Sequence, residues 1–166
     1  GGVALFLPGP SGSGLTAGDY GNRSAYLAGN EVLQVVQPCA SSWGNKGYWE
    51  VWLDQSNAWI YPHLHAAARR MTEMARRHAK TRAAWKKDTL QQMARELLLA
   101  QSSDWAFIMK TDTTVEYAKK RTRDHIARFD YLYRALTGQC LLDEPILREF
   151  EDRDNIFLEL DYRVYR

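Results

Sequence analysis

Tryptophan is concentrated in one short, glycine-containing segment of the chain. Three Trp and one Tyr occur within ten residues of the segment SSWGNKGYWEVW at 41–52. An exposed indole can stack on the C–H face of a sugar while nearby polar groups bond its hydroxyls. Packing in a core is the alternative, which we expect for Trp49 and Trp59. The other rings, Trp43 and Trp52, are candidates for carbohydrate binding.

A second candidate is the run Ser102-Ser103-Asp104-Trp105, which follows a helical pattern. In a binding site, Asp104 would accept hydrogen bonds from sugar hydroxyls beside an apolar face supplied by Trp105. In the alternative, the Ser-Ser-Asp run caps the next turn and Trp105 packs in the core. The residue types leave both interpretations open.

Two other patterns with a chemical meaning have simpler explanations. The segment GPSGSGLT at 9–16 imitates a phosphate-binding loop, but Leu15 stands where that loop needs its lysine, and we interpret the segment as a flexible linker. His63 and His65 are two residues apart, so on a helix they diverge by about 200° and cannot face one metal ion. We interpret both histidines as surface or capping residues.

The charged residues indicate solvated surfaces. One helical pattern carries basic residues interspersed with acidic ones, and we assign them to its polar side: Lys119, Lys120, Arg121, Arg123 and Arg128. The acidic residues from Asp143 to Asp161 are numerous enough for a glycosidase carboxylate pair, but we assign most of them to capping and solvation. The net charge of +2 is too small to favour nucleic acid or an anionic membrane.

The composition indicates one soluble, folded domain. Hydrophobic residues make up 45% and charged residues 25% of the 166, which is ordinary globular usage. No apolar run approaches the ~20 residues that span a bilayer, so we expect no membrane segment and a cytoplasmic location. Cys39 and Cys140 form no C-x-x-C pair, and we expect reduced thiols without a disulfide, metal or cofactor. The chain opens with Gly1 instead of Met, which we interpret as the sign of a fragment or of a processed chain.

Glycine divides the chain into two regions. Residues 1–30 hold eight of its eleven glycines and predict a flexible lead-in with short extended pieces near Val3 and Leu33. Residues 31–166 are predicted to form a helical domain. The class is mainly α, an irregular bundle of three to four helices with a loop-rich N-terminal segment.

Apolar spacing of three and four residues places the helices. The first begins between Asp54 and Asn57, with Pro62 confined to its opening turns. The second runs from about Ala83 to Gln101, and the fourth starts at the N-cap Asp143. The third is the clearest, with Gly138 as its C-terminal stop and this apolar stripe: Val115, Ala118, Thr122, Ile126, Phe129, Leu132, Tyr133 and Leu136. The tail from Asn155 is predicted to be extended.

The two tryptophan motifs resemble the C-terminal helical region of α-glucan branching enzymes of glycoside hydrolase family 57. The resemblance is carried by WGNKGYWEVWL at 43–53, NAWIY at 57–61 and ARELLLAQSSDWAFIM at 94–109. It covers about residues 26–166. Residues 1–25 do not match, and Pro62 departs from the family pattern.

The resemblance implies a domain that packs on a catalytic barrel absent from this chain. In that family the barrel carries a glutamate nucleophile and an aspartate acid/base, which move a glucan chain from an α-1,4 link to a 6-hydroxyl. Trp43 and Trp52, nine residues apart, match tryptophans that position glucan, and Asp104 with Trp105 match the last short sequence region. We therefore expect α-glucan and the barrel as partners, and no catalytic residue in this chain, which alone is inactive.

Two other functions stay open. The first is a free-standing glucan-binding module, and the second is a purely structural helical domain whose tryptophans pack against the barrel. Each glucan hypothesis requires that Trp43 and Trp52 present their rings to a cleft. If both indoles are sealed inside the bundle, no face remains for a sugar.

Overall fold

The computed structural model describes residues 39–166, which contain five α-helices. They are α1 (Ile60–Arg77), α2 (Ala84–Ala100), α3 (Ser103–Thr111), α4 (Val115–Leu136) and α5 (Glu144–Arg153). Short 3-10 turns lie at Asn45–Gly47 and Tyr162–Tyr165, and residues 39–166 contain no strand. The predicted mainly α fold class is confirmed.

The N-terminal predictions fall outside this range. The flexible lead-in at 1–30, the GPSGSGLT segment and the extended pieces near Val3 and Leu33 all lie outside the described residues. Residues from Ser42 to Arg166 form one compact unit, and the domain boundary at residue 31 stays a prediction. No helix of the described unit is long and apolar enough to cross a membrane.

The main core lies where α2 packs against α1, α4 and α5. Its completely or almost completely buried side chains include Met71, Met74, Leu90, Met93, Leu97, Phe129, Leu132 and Leu147. Each such side chain contributes about 1.5–3 kcal/mol by leaving water. All four methionines of the chain are buried, three of them in this core and Met109 elsewhere.

A second, smaller core cluster supports the region that carries the tryptophan motifs. It joins the start of α1, the end of α2, α3 and the start of α4 through Ile60, Leu64, Ala100, Trp105, Ala106, Met109 and Ala118. Trp52 and Trp59 pack against this cluster from outside. The loop before α1 therefore rests on α3.

Local signals explain most of the helix ends. Helix α1 begins at Ile60 with N-cap Trp59, so the predicted start between Asp54 and Asn57 is too early, because Asn57 has a different use described below. Pro62 lies in the first turn, where a missing N–H costs little. Gly138, with φ 76°, stops α4.

Helix α3 has no counterpart among the predicted helices. It has only nine residues and ends at Asp112 in the left-handed conformation, with φ 59°. So short a helix offers too few repeats for a periodic signal. The tail is not simply extended as predicted, because Tyr162–Tyr165 form a 3-10 turn.

Four buried ionisable side chains link α2, α4 and the segment after α5; they are called the buried ion cluster. Nδ1 of His125 lies 2.7 Å from a carboxylate oxygen of Glu96, and the Arg128 guanidinium donates to Asp154. All four are at most 9% exposed. The assignment of Arg128 and Asp154 to solvated surfaces is therefore wrong, because each compensates the other's charge inside the bundle.

The C-terminal segment is held to the helices by side-chain bonds to its backbone. Arg95 Nε donates to the carbonyl of Ile156 at 2.9 Å. Gln91 donates to that of Leu160 at 3.2 Å, and the Tyr162 hydroxyl donates to the carbonyl of His78 at 2.9 Å. These bonds satisfy backbone groups of a segment that has little regular structure of its own.

The Asp154→Ala variant is expected to lose up to about 3–5 kcal/mol of stability, because it leaves the buried Arg128 guanidinium with only the more distant Glu96 carboxylate, at 3.8 Å. Urea unfolding followed by circular dichroism measures the loss. The matched control is Glu149→Ala, which breaks an exposed ion pair with Arg153 and should cost less than about 1 kcal/mol. Equal losses in the two variants would contradict the importance of the buried pair.

Candidate functional site

Two of the predicted tryptophans meet a phenylalanine at the surface of the second core cluster. The ring centroids of Trp43 and Trp52 are 5.9 Å apart, and that of Phe107 lies 6.0 Å from Trp43 and 6.2 Å from Trp52. These separations are typical of interacting aromatic pairs. The three rings are called the aromatic cluster.

The aromatic cluster is open to solvent. The Trp43 side chain is 69% exposed, and Trp52 is half-buried. Neither indole is sealed inside the bundle, so the condition that the glucan hypothesis requires is met. Tyr48 and Trp49 on the same loop are also exposed, and the expectation that Trp49 packs in the core is wrong.

The loop that carries the two tryptophans is tightly folded. Gly44 has φ 94°, and a side chain there would place its Cβ 2.7 Å from Cγ2 of Val51. Only glycine avoids both the strain and the clash. The N–H of Ser42 donates to the carbonyl of Gly47 at 2.7 Å, which closes the turn that presents Trp43.

Asn57 fastens this loop to α3. It is completely buried, and its side-chain NH₂ donates to the carbonyls of Val51 and Ala106, both at 3.1 Å. Its Oδ1 accepts from the N–H of Asp54 at 2.7 Å. Because Val51 precedes Trp52 and Ala106 precedes Phe107, this one amide sets the position of two rings of the aromatic cluster.

A surface ion pair forms a second link between the same two elements. Lys110 of α3 donates to Oδ2 of Asp54 at 2.8 Å, and the N–H of Ser56 donates to Oδ1 at 3.0 Å. Both bonds favour the ionised carboxylate, with the lysine bond as the larger cause, and they lower the pKa of Asp54 from 3.8 to about 2.

Asp104 and Trp105 are neighbours in sequence but lie in different environments. Asp104 is exposed in the first turn of α3 and accepts a hydrogen bond from the Ser102 hydroxyl at 2.8 Å. It is three residues from Phe107, so both side chains lie on one face of α3. Trp105 is only 9% exposed, and its indole N–H donates to the carbonyl of Leu99 at 2.7 Å.

The buried ion cluster also contains a possible metal-ligand set. Glu96, His125 and Asp154 offer ligand atoms within 4.8 Å of one another. The Arg128 guanidinium pairs with Asp154 and lies 3.8 Å from Glu96, so the positive charge that a metal would supply is already present. We interpret the group as an ion-pair cluster. The histidines considered from the sequence, at 63 and 65, are exposed on α1.

The chain matches a known protein family over most of its described length. Residues 63–165 match the C-terminal region of 1,4-alpha-glucan branching enzymes. Among curated proteins, the 1,4-alpha-glucan branching enzyme TK1436 of Thermococcus kodakarensis is 34% identical over 119 residues, which are 70% of this chain and 18% of the relative. The chain therefore belongs to the family of branching-enzyme C-terminal domains, and it spans under a fifth of that relative's length.

Solved structures show the same relationship. The chain is 41% identical to the α-amylase AmyC of Thermotoga maritima, with a TM-score of 0.69 over 86% of this chain and 26% of that one. It is 31% identical to a family 57 branching enzyme of Pyrococcus horikoshii, with a TM-score of 0.74, and the match covers 86% of this chain and 27% of that one. It is 32% identical to TK1436 in complex with glucose, with a TM-score of 0.70, and the match covers 75% of this chain and 23% of that one. The resemblance inferred from the two motifs is confirmed.

The Asn57→Ala variant should leave the Val51 and Ala106 carbonyls without their donor and lower stability by about 1–3 kcal/mol. The loop should also loosen, so that acrylamide quenches the tryptophan fluorescence of the folded variant more strongly. Gln55→Ala is the matched control, because Gln55 lies on the same turn and is exposed. Unchanged quenching in Asn57→Ala would contradict the fastening role.

The Asp54–Lys110 link is expected to respond to acid. Because the pKa of Asp54 is lowered in the folded chain, its contribution is present above its ordinary pKa of 3.8 and is lost as the pH falls towards 2. The Asp54 carboxyl resonance, followed by NMR against pH, should titrate near 2. In Lys110→Met it should titrate closer to 3.8, and an unaltered midpoint in that variant would refute the link.

Proposed function

We propose that this domain shapes the glucan and acceptor groove of an α-glucan branching enzyme, beside a catalytic barrel carried by another part of the parent protein. The parent reaction transfers an α-1,4-linked chain to a 6-hydroxyl of an α-glucan such as glycogen or an amylose-like chain. The observation that carries the proposal is the solvent-open aromatic cluster in a chain of this family.

The aromatic cluster has the chemistry of a sugar platform. Its rings lie about 6 Å apart and are tilted to one another by 37° to 46°, so they offer an angled apolar surface wider than one indole. The C–H faces of successive glucose units can lie against such a surface. Trp43, the most exposed of the three, supplies its outer face, and Trp52 supplies its inner part.

Polar groups border this platform on the same face of α3. Asp104 is exposed one turn before Phe107, where its carboxylate can accept hydrogen bonds from glucose hydroxyls. Trp105 contributes differently in this proposal. Its buried ring and its bond to the Leu99 carbonyl fix the start of α3, and thereby hold Asp104 beside the platform.

A platform of this kind favours transfer over hydrolysis. The second half of the reaction has two competing nucleophiles, the 6-hydroxyl of an acceptor glucan and water. Holding an acceptor chain against an apolar surface raises its local concentration at the reaction centre and excludes water from the same space. The domain thus acts on the outcome of a reaction whose bond-breaking groups lie elsewhere.

One observation favours a second candidate. AmyC, at 41% identity, is described as an α-amylase, so a domain of this shape also accompanies an enzyme named for hydrolysis. In that case the same platform would hold the glucan being cut. The two candidates differ in their products, because only the branching enzyme forms new α-1,6 links.

The ratio of branching to hydrolysis tests the proposal in the chain joined to its parent barrel. Trp43→Ala and Trp52→Ala should each lower that ratio about tenfold, which corresponds to about 1.4 kcal/mol of acceptor positioning. Debranching of the product followed by chain counting gives the α-1,6 links, and released reducing ends give hydrolysis. The control is Trp49→Ala, which removes a tryptophan of the same loop that is 50% exposed and lies outside the aromatic cluster.

Three results would decide against the proposal. Equal ratios in Trp43→Ala, Trp49→Ala and the unaltered enzyme would reject the role of the aromatic cluster. A parallel fall of branching and hydrolysis would reject its preference for the acceptor. Reducing ends without new α-1,6 links in the unaltered enzyme would favour the hydrolytic candidate.

A further inference from the structure

A second exposed tryptophan lies at the far end of α2. Trp85, in the first turn of that helix, is 45% exposed and lines a cleft of about 800 Å³. The start of α2, the end of α4 and α5 enclose it. The cleft is called the Trp85 cleft, and the lining residues that matter here are Trp85, Asp88, Leu141, Leu142, Glu144 and Arg148.

The Trp85 cleft is separate from the aromatic cluster. Helix α2 has 17 residues, so at 1.5 Å per residue it is about 25 Å long. Trp85 stands at its beginning, whereas Phe107 belongs to the helix that follows its end. One sugar ring cannot touch both places.

The floor of the cleft is apolar and accessible. The buried Leu147 and Ala135 line it, together with the half-buried Leu142. With the indole of Trp85 they form an apolar surface, and Leu141, which is 93% exposed, stands at its edge. The cleft volume falls within the roughly 300–1,000 Å³ that is usual for ligand sites.

The rim carries charged groups arranged as pairs. Arg148 lies 3.5 Å from Asp88 and 3.6 Å from Glu144, and the ammonium group of Lys86 lies 5.3 Å from the centre of the Trp85 ring. Carboxylates accept hydrogen bonds from hydroxyls, and guanidinium and ammonium groups donate to them. All these groups are part exposed and can reach a ligand in the cleft.

The charge of the lining argues against an anionic ligand. Two carboxylates, Asp88 and Glu144, are balanced by the guanidinium of Arg148 and the nearby ammonium group of Lys86. The cleft therefore has no excess positive charge with which to hold a phosphate or an acidic peptide. A neutral ligand that has apolar C–H faces and many hydroxyls satisfies both the floor and the rim, and carbohydrate is the chemical class with both properties.

We propose that the Trp85 cleft is a second, non-catalytic site for an α-1,4-glucan chain. The identity of the sugar rests on the proposed function, since the parent enzyme handles that polymer. A polymer can occupy two places about 25 Å apart at once, and its affinity then exceeds that of either site. The cleft would anchor the glucan while another stretch lies in the groove.

The test is an NMR titration of the 166-residue chain with maltoheptaose, following the backbone amides of Asp88, Leu141 and Arg148. These amides should shift in a saturable manner. In Trp85→Ala the dissociation constant at these amides should rise about tenfold, which is the loss expected for one stacking ring. Trp85→Phe, which keeps a smaller ring, should bind with intermediate strength.

Trp43→Ala is the matched control, because it removes an exposed indole from the aromatic cluster. With maltotriose, which is too short to span about 25 Å, it should leave the dissociation constant at the cleft unchanged. The spectrum of each variant reports whether the chain is folded, so a lost response cannot be confused with lost structure. If the branching ratio is insensitive to Trp43→Ala while the cleft amides still respond to maltoheptaose, the proposed function fails and the second site stands.

Two results would overturn the proposal. The first is an absence of shifts at the cleft amides with maltoheptaose, or an equal loss of affinity for maltotriose in Trp85→Ala and Trp43→Ala. The second is a dimer in sedimentation experiments that Leu141→Ser dissociates and maltoheptaose does not, because the cleft would then hold a second copy of the chain.

Discussion

Asn57 is completely buried, and its single amide group bonds three segments of the chain. Its Oδ1 accepts from the N–H of Asp54. Its NH₂ donates to the carbonyl of Val51, in the loop that carries Trp43 and Trp52, and to the carbonyl of Ala106 in α3. A loop with little buried surface needs specific bonds as a reason to keep one conformation. The amide supplies that reason, since any shift of the loop would leave buried donors and acceptors unpaired.

Trp105 fixes α3 in a similar way, by a side-chain hydrogen bond to a backbone carbonyl. Its indole N–H bonds the carbonyl of Leu99, in the last turn of α2, where backbone carbonyls lack partners within the helix. The ring thereby fixes the angle at which α3 leaves α2. Because a helix turns by about 100° per residue, the neighbouring Asp104 faces solvent. One dipeptide thus contains a structural residue and an exposed polar group.

Local sequence patterns predicted the helices but not the long-range pairs. The apolar stripe of α4 is confirmed at Ala118, Phe129 and Leu132, because period and burial are linked within one helix. Arg128 belongs to the core only through Asp154, which lies 26 residues away. Phe107 is similar, since its importance comes from contact with rings on a distant loop. Trp43 and Trp52 were identifiable because loops seldom carry tryptophan without a use.

The burial of every methionine has a consequence for how this domain meets oxidants. Met71, Met74, Met93 and Met109 are at most 3% exposed, so peroxide reaches a thioether only when the bundle opens. A sulfoxide is polar and does not fit the packed interior, so the first oxidation favours further opening. A sulfoxide at Met109 therefore reports an opening beneath the loop that carries Trp43 and Trp52, and sulfoxides at the other three methionines report an opening of the main core.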